Sequence, residues 1–447
     1  MHDKHGLLSA PIALVLRQMT VPMVFGMIAI LAFNLVDTFF ISLLGTDALA
    51  AVSFTFPVTF SVNCITMGIG IGLSTNIGRS LGEHDIDTAK RLTTHGLMLA
   101  VTLVLVASVI GLLTISPLFT LLGADQTTLP LIQQYMQVWY LAVPLLVVPM
   151  AGNSAIRATG DTKTPAKIMM LSGLINGILD PLLIFGIGPF PEMGIQGAAL
   201  ASGVAWSIAL VFSLYILAKR EQLLGLFSVL KIIGDWGAIL KIGLPSALSS
   251  AMAPISGAIL MKLLSVHGTI AVAAFGAAQR VEAVLILVLI SLSSALTPFM
   301  AQNFGAKNRN RSFSALFLSM RFSVLFQLLV FVMMVPLSHP ISLMFSQEQA
   351  VRDILWLYLI TVPLSYGCLG IMMMLGSGLN ALHQPSKAFL WSLLRLFVFT
   401  LPAAFVGGHF YGIQGIFIGV TGGNIAGGVM AYLYAKKLSK HLLSKHL

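Results

Sequence analysis

The sequence predicts an all-α integral membrane protein: twelve transmembrane helices in two parallel six-helix bundles with pseudo-two-fold symmetry. Three observations predict it. Of 447 residues, 57% are hydrophobic and only 9% charged, where soluble domains carry about 25% charged residues. Apolar runs long enough to cross a bilayer recur along the whole chain. The two halves of the chain repeat each other.

A transmembrane helix needs about 20 apolar residues. Runs of that kind fall at 16–44, 49–77, 92–117, 130–156, 165–187, 195–218, 238–266, 271–301, 313–337, 352–378, 388–407 and 412–435. Lipid offers no partner for a free backbone group, so each run is expected to be helical. All are too long for barrel strands.

Basic residues orient the spans. One set of connections holds Lys4, Arg79, Lys90, Arg91, Arg157, Lys163, Lys167, Lys219, Arg220, Lys231, Lys241, Lys307, Arg309, Arg311, Lys387, Lys436, Lys437, Lys440 and Lys445, while the alternate set holds only Arg352. The positive-inside rule then places both termini in the cytoplasm and makes the span number even. It also explains the net charge of +10 as a topology signal and excludes a nucleic-acid partner. An inner-membrane, multi-pass location follows. The domain division expected is an N-terminal lobe over 1–218, a cytoplasmic amphipathic linker over 219–237 and a C-terminal lobe over 238–447.

The repeat is explicit. Gly45-Thr46-Asp47-Ala48 matches Gly268-Thr269-Ile270-Ala271, a shift that also pairs Pro22 with Pro245 and Gly82 with Gly305. Gly194-Ile195-Gln196-Gly197 returns as Gly412-Ile413-Gln414-Gly415. Six spans per half make the second half insert in the same orientation as the first. Transporters of this build bind substrate between halves and expose it alternately to either side. No G-x-x-x-x-G-K-[ST] occurs, so the chain has no phosphate loop for ATP. Cys64 and Cys368 lie in apolar runs and form no zinc spacing,. No catalytic pair or metal-ligand spacing is found, so an enzyme is not expected, and neither is a cofactor.

A carboxylate at mid-membrane is costly, so each one needs a reason. Asp37 lies in span one and Asp180 in span five, in Asn176-x-x-x-Asp180-Pro181. Both are about seven residues, or ~10 Å, from the outer end of an outward-running span. Asn34 shares a face with Asp37, and Asn176 with Asp180. Under the repeat Asp37 corresponds to Leu260, and near the counterpart of Asp180 stands Phe399-Thr400-Leu401-Pro402. The acids therefore belong to the first half alone, which points to cation handling. Two neighbouring carboxylates in low dielectric resist carrying two charges at once, which suits a proton carrier. With Asn oxygens they would instead suit sodium, making Asp37, Asn176 and Asp180 metal ligands in that case only. The structural alternative is an Asp hydrogen-bonded between helices as packing glue. In the second half Glu282 and Arg395 are candidate cavity residues, and a structural charge is an equal reading of Glu282. Pro22 and Pro181 are candidate hinges, since proline frees a carbonyl. Gly68-Ile69-Gly70-Ile71-Gly72 reads as close helix packing, not nucleotide binding.

Asp37, Asn176-x-x-x-Asp180-Pro181 and Gly194-x-x-Gly197-Ala198-Ala199 on twelve spans resemble the multidrug and toxic compound extrusion (MATE) family. Ala278-Gln279-Arg280-Val281-Glu282 resembles its DinF-like branch. The resemblance implies an antiporter, a monomer in the membrane lipid, exporting cationic or amphipathic small organic molecules in exchange for protons, or sodium. It implies a first-half cation site of Asp37, Asn176, Asp180 and Ser202, the last standing where Thr is more usual, with Asn153 a neighbour. A lipid or lipid-linked glycan flippase of the same architecture is the alternative.

Overall fold

The computed structural model describes residues 5–444; Lys4 and Lys445 lie outside the described residues. The chain is helical throughout: α1 (Ile12–Ser42), α2 (Thr46–Gly82), α3 (Ile86–Leu121), α4 (Thr128–Ala158), α5 (Lys163–Phe185), α6 (Ile195–Tyr215), α7 (Ile232–Ser265), α8 (Thr269–Leu285), α9 (Leu287–Gly305), α10 (Arg309–Phe345), α11 (Gln349–Thr361), α12 (Tyr366–Ala381), α13 (Pro385–Leu393) and α14 (Leu401–Ser444).

Among the described residues, eleven helical stretches are long and apolar enough to cross a membrane. The last, Pro385–Ser444, has 60 residues, or ~90 Å at 1.5 Å per residue, three times a bilayer's hydrocarbon core. It breaks at Gly412, whose φ of 59° and ψ of −140° are not helical, giving twelve crossings. α8 and α9 form one crossing that is interrupted at Ile286, and α11 and α12 another, joined by a 3-10 turn over Val362–Ser365. Two π-helical turns, Ile216–Arg220 and Leu394–Thr400, end α6 and follow α13. Hydropathy does not distinguish any of these interruptions from straight helix.

The repeat extends to backbone conformation. Gly45 and Gly268 precede α2 and α8 with φ of 113° and 100°. His84 and Lys307, residues of unrelated type at matching positions, both take φ near 60°. Gly194 and Gly412 adopt the same glycine-specific conformation, φ/ψ 53°/−132° and 59°/−140°. The closing glycines of those two motifs also share a task. A Cβ on Gly197 would strike the carbonyl of Leu183, and one on Gly415 that of Gly407. Each motif thus turns the chain and lets two helix backbones touch.

By contacts the chain divides into two compact units, one holding Val21–Ala247 and the other joining Gly6–Thr20 to the chain from Leu248 onward. The boundaries at 219–237 would put each whole helix in one lobe. In the structure α1 and α7 each begin in one unit and end in the other, and the changeovers stand beside Pro22 and Pro245.

In the first unit α4 lies centrally, packed on α2, α3 and α6, over a core that includes Leu73, Ile77, Phe119, Trp139 and Val147. Lipid tails are as apolar as these side chains, so close packing and small residues hold membrane helices together. Gly68 shows this: a Cβ there would meet the Gly243 carbonyl and the Ala247 backbone on α7. The glycine run of α2 is therefore a packing seam. The segment before α7 is pinned to α3. Gly225 exchanges hydrogen bonds with Thr94, Ser228 N–H donates to His95 Nε2 (3.2 Å), and Asp235 accepts from Arg91 Nε (2.8 Å) and His95 Nδ1 (2.6 Å). Leu223 is buried while Leu226 and Leu230 are almost fully exposed.

In the second unit α12 packs against α9, α10 and α14. The chain's start is held here: Asn303 Nδ2 and Arg311 Nε donate to the Leu7 carbonyl (3.0 and 3.1 Å), and Arg311 also reaches the Ala10 carbonyl.

Candidate functional site

In the first unit α1, α5 and α6 bring four of the sequence candidates together. Asp37 and Asp180 each lie five residues before the last residue of their helices, Ser42 and Phe185, so the two acids stand at one depth. Their carboxyl groups lie within electrostatic range of each other. Two carboxyls this close in low dielectric resist carrying two charges at once. Asn176 Nδ2 donates to Asp180 Oδ1 at 3.1 Å and to the Ser202 hydroxyl at 3.2 Å. Asp180 is completely buried. Asp37 Oδ1 and Asp180 Oδ2 have no hydrogen-bond partner among the described residues.

The local sequence explains the arrangement. The i, i+4 spacing aligns Asn176 with Asp180 on α5. α5 stays helical through Pro181, whose missing N–H leaves the Gly177 carbonyl one hydrogen bond short beside Asn176. Two carboxyls and a hydroxyl supply oxygens here. They suit a shared proton, and also a hard cation such as sodium. No cluster of three or more His, Cys, Asp or Glu that would hold a metal occurs among the described residues.

The remaining candidates fall outside this network. Asn34 is exposed, and its backbone carbonyl accepts from the Thr38 hydroxyl at 2.7 Å. Asn153 is buried on α4 with its side-chain oxygen unpartnered, and no hydrogen bond ties it to the acids. α1 runs helical through Pro22. One residue absent from the sequence reading belongs here: Tyr135 on α4 is buried and lies within electrostatic range of both acids.

The second unit carries its own polar cluster, built around Glu282. The Tyr358 hydroxyl donates to Glu282 Oε2 at 2.6 Å and lies 3.2 Å from the Tyr366 hydroxyl. Tyr366 and Arg395 both lie within electrostatic range of Glu282. Phe275 and Phe417 pack edge-on against Tyr358 at 6.1 and 5.2 Å. The 3-10 turn between α11 and α12 sets the two tyrosines on one side, and Arg395 sits in a π-helical turn. Such turns recur at functional sites. Sequence reasoning missed Tyr358 and Tyr366. Their signal was available, since a tyrosine inside an apolar span needs a partner for its hydroxyl.

The geometry can be set beside known proteins. The MatE family model matches residues 22–182 and again 245–406, two segments displaced by the shift of the internal repeat. The chain is 43% identical over 440 residues to a protein named FAD transporter from Shewanella oneidensis, covering 98% of this chain and 97% of that one. It is 26% identical to a probable multidrug resistance protein, YoeA, from Bacillus subtilis, over 84% of this chain and 83% of that one. The crystal structure of the Vibrio cholerae MATE transporter VcmN in the bent form superposes with a TM-score of 0.92 at 34% identity, covering 96% of this chain and 97% of that chain.

Proposed function

The chain belongs to the MATE family of membrane transporters, and from that premise we propose that it is a secondary antiporter. In this reading it exports amphipathic aromatic molecules, flavin adenine dinucleotide first among them, in exchange for protons. The observation that carries the coupling is the pair of acids Asp37 and Asp180 at one depth, each with an unpartnered buried oxygen. A pair of this kind suits one titratable proton inside the membrane, beside the Asn176 bonds to Asp180 and Ser202. The outward-open state takes the proton, and neutralising the pair lets α1 and α5 rearrange, with Pro22 and Pro181 as the bending points. Substrate leaves outward, and the inward-open state releases the proton and reloads. Sodium is the alternative coupling ion, with Asp37, Asn176 and Asp180 as its ligands.

The order of substrates follows the comparisons. The relative at 43% identity is named for FAD and the one at 26% for multidrug resistance, so organic cations come second. A half-buried cation such as Arg395 suits an anionic dinucleotide better than it suits a cationic drug. The basic connections support an inner-membrane location with both termini cytoplasmic, and the protein acts as a monomer.

The test is efflux from proteoliposomes loaded with FAD or with an organic cation, under an imposed pH gradient or an imposed sodium gradient. FAD efflux driven by pH alone supports the whole reading. Efflux driven only by sodium replaces the coupling ion. Cation efflux without FAD efflux replaces the substrate. If neither gradient moves either solute, antiport is overturned, and lipid or lipid-linked glycan becomes the substrate to test.

A further inference from the structure

The second unit contains a groove of about 620 Å³ that belongs to neither polar cluster. Its walls are the first part of α10, the last part of α14 and Ile12. Two cations line it, Arg321 from α10 and Lys436 from α14, and no carboxylate does. Both are exposed, and neither forms an ion pair among the described residues. The Asn310 and Ser439 side chains add polar groups, while Phe313, Phe317 and Leu318 make the floor apolar. Phe317 and Tyr432 pack edge to face at 5.8 Å, which stiffens that floor.

Hydropathy alone places Arg321 inside a span. The groove places it beside Lys436, which opens the basic run Lys436-Lys437 with Lys440 nearby. α10 has 37 residues, or ~55 Å, against about 30 Å of hydrocarbon. Its first turns therefore extend past the hydrocarbon on the side of the basic connections. Arg321 and Lys436 then share the headgroup level of the cytoplasmic leaflet. From there an exposed apolar track leads toward mid-membrane: Phe322, Leu325 and Leu329 on α10, with Val429 and Met430 on α14.

We propose that this groove is a binding site for an anionic phospholipid, its phosphate held between Arg321 and Lys436 and one acyl chain lying along the Phe322–Leu329 track. The chemistry is matched at both ends. Two unpaired cations with neighbouring hydroxyl and amide groups suit a phosphodiester, and the track suits a hydrocarbon tail that water would not tolerate. A zwitterionic headgroup brings its own cation to the same place and loses that advantage.

The test is native mass spectrometry of the detergent-purified protein with phosphatidylglycerol, phosphatidylcholine of matched chains, and glycerol phosphate lacking chains. Each basic residue near an anionic lipid contributes about fivefold, so Arg321→Gln with Lys436→Gln should lower phosphatidylglycerol retention roughly thirtyfold and leave phosphatidylcholine unchanged. Ser314→Trp, which fills the groove, should reduce both lipids. Lys437→Gln, on the same helix but outside the lining, should reduce neither. Equal loss from Lys437→Gln would overturn the proposal in favour of diffuse surface charge. Glycerol phosphate competing as well as the lipid would overturn it in favour of a free-phosphate site. A double variant that elutes as aggregate is replaced by the Ser314→Trp arm, where undiminished phosphatidylglycerol retention overturns the proposal.

Discussion

Replacing Asp37 with asparagine isolates the proposed coupling step from folding. The introduced amide keeps a polar group beside Asp180, which accepts from Asn176 at 3.1 Å, and removes the exchangeable proton. One pH unit supplies about 1.36 kcal/mol per proton, or a tenfold ratio of substrate across the membrane. Wild-type protein in liposomes under a one-unit gradient should therefore sustain roughly a tenfold FAD ratio, and Asp37→Asn a ratio near one. Facilitated exchange down an FAD gradient should persist in the variant, because no substrate contact is removed. The assay is time-resolved FAD fluorescence in the external medium, with collapse of the gradient by an ionophore as the internal control. A tenfold ratio retained by Asp37→Asn, correctly inserted and monodisperse, would refute the assignment of the coupling proton to this pair.

Four further outcomes follow from the same physical reasoning. Tyr358→Phe removes the donor to Glu282, and leaving that partly buried carboxyl with one hydrogen bond fewer should lower stability by about 1–3 kcal/mol, measured by thermal unfolding in detergent. Gly412→Ala must enter a backbone region essentially reserved for glycine and should lose about 1–3 kcal/mol, with Gly194→Ala behaving alike; tolerance at both positions would contradict the shared motif conformation. Gly68→Leu should destabilise by about 1–3 kcal/mol by driving a side chain into the α7 backbone, whereas Gly276→Ala, where a Cβ meets nothing within 4 Å, should be silent,. Asp125, exposed in the connection before α4, accepts from the Thr127 and Thr128 backbone N–H groups and both hydroxyls, which holds its carboxyl down at about 2. A depressed carboxyl contributes stability above its unfolded value near 4 and loses it as pH falls toward 2. The melting difference between wild type and Asp125→Ala should therefore be present at pH 5 and vanish near pH 2.

The spans, the repeat and the acid pair were all legible in the sequence for one reason: lipid restricts what a chain can do. It forces helices, sorts lysines and arginines to one side, and makes a carboxylate such as Asp180 stand out against its apolar neighbours. Asn176 and Ser202 were found by spacing and by resemblance, and the structure hydrogen-bonds them into one network. What stayed hidden depends on contacts between segments distant in the chain. Tyr358 and Tyr366 read as ordinary aromatic residues until the turn at Val362–Ser365 aims them at Glu282. Arg321 lies within an apolar run in the sequence, and only the fold sets Lys436 of α14 beside it. The changeover of α1 and α7 between units leaves no hydropathy signal, because a helix looks equally apolar whichever unit it packs on.

That changeover has a consequence for biogenesis. Ribosomes release the first six spans before α7 exists, yet the first unit takes its α7 strip, including the Gly243 backbone that seats Gly68, from residues up to Ala247. The opening stretch Gly6–Thr20 meanwhile finds Asn303 and Arg311 only after the first eight spans have emerged. Neither unit can mature from its own half of the message, so a chain cut in the linker should yield two fragments that remain immature apart and recover only when co-expressed.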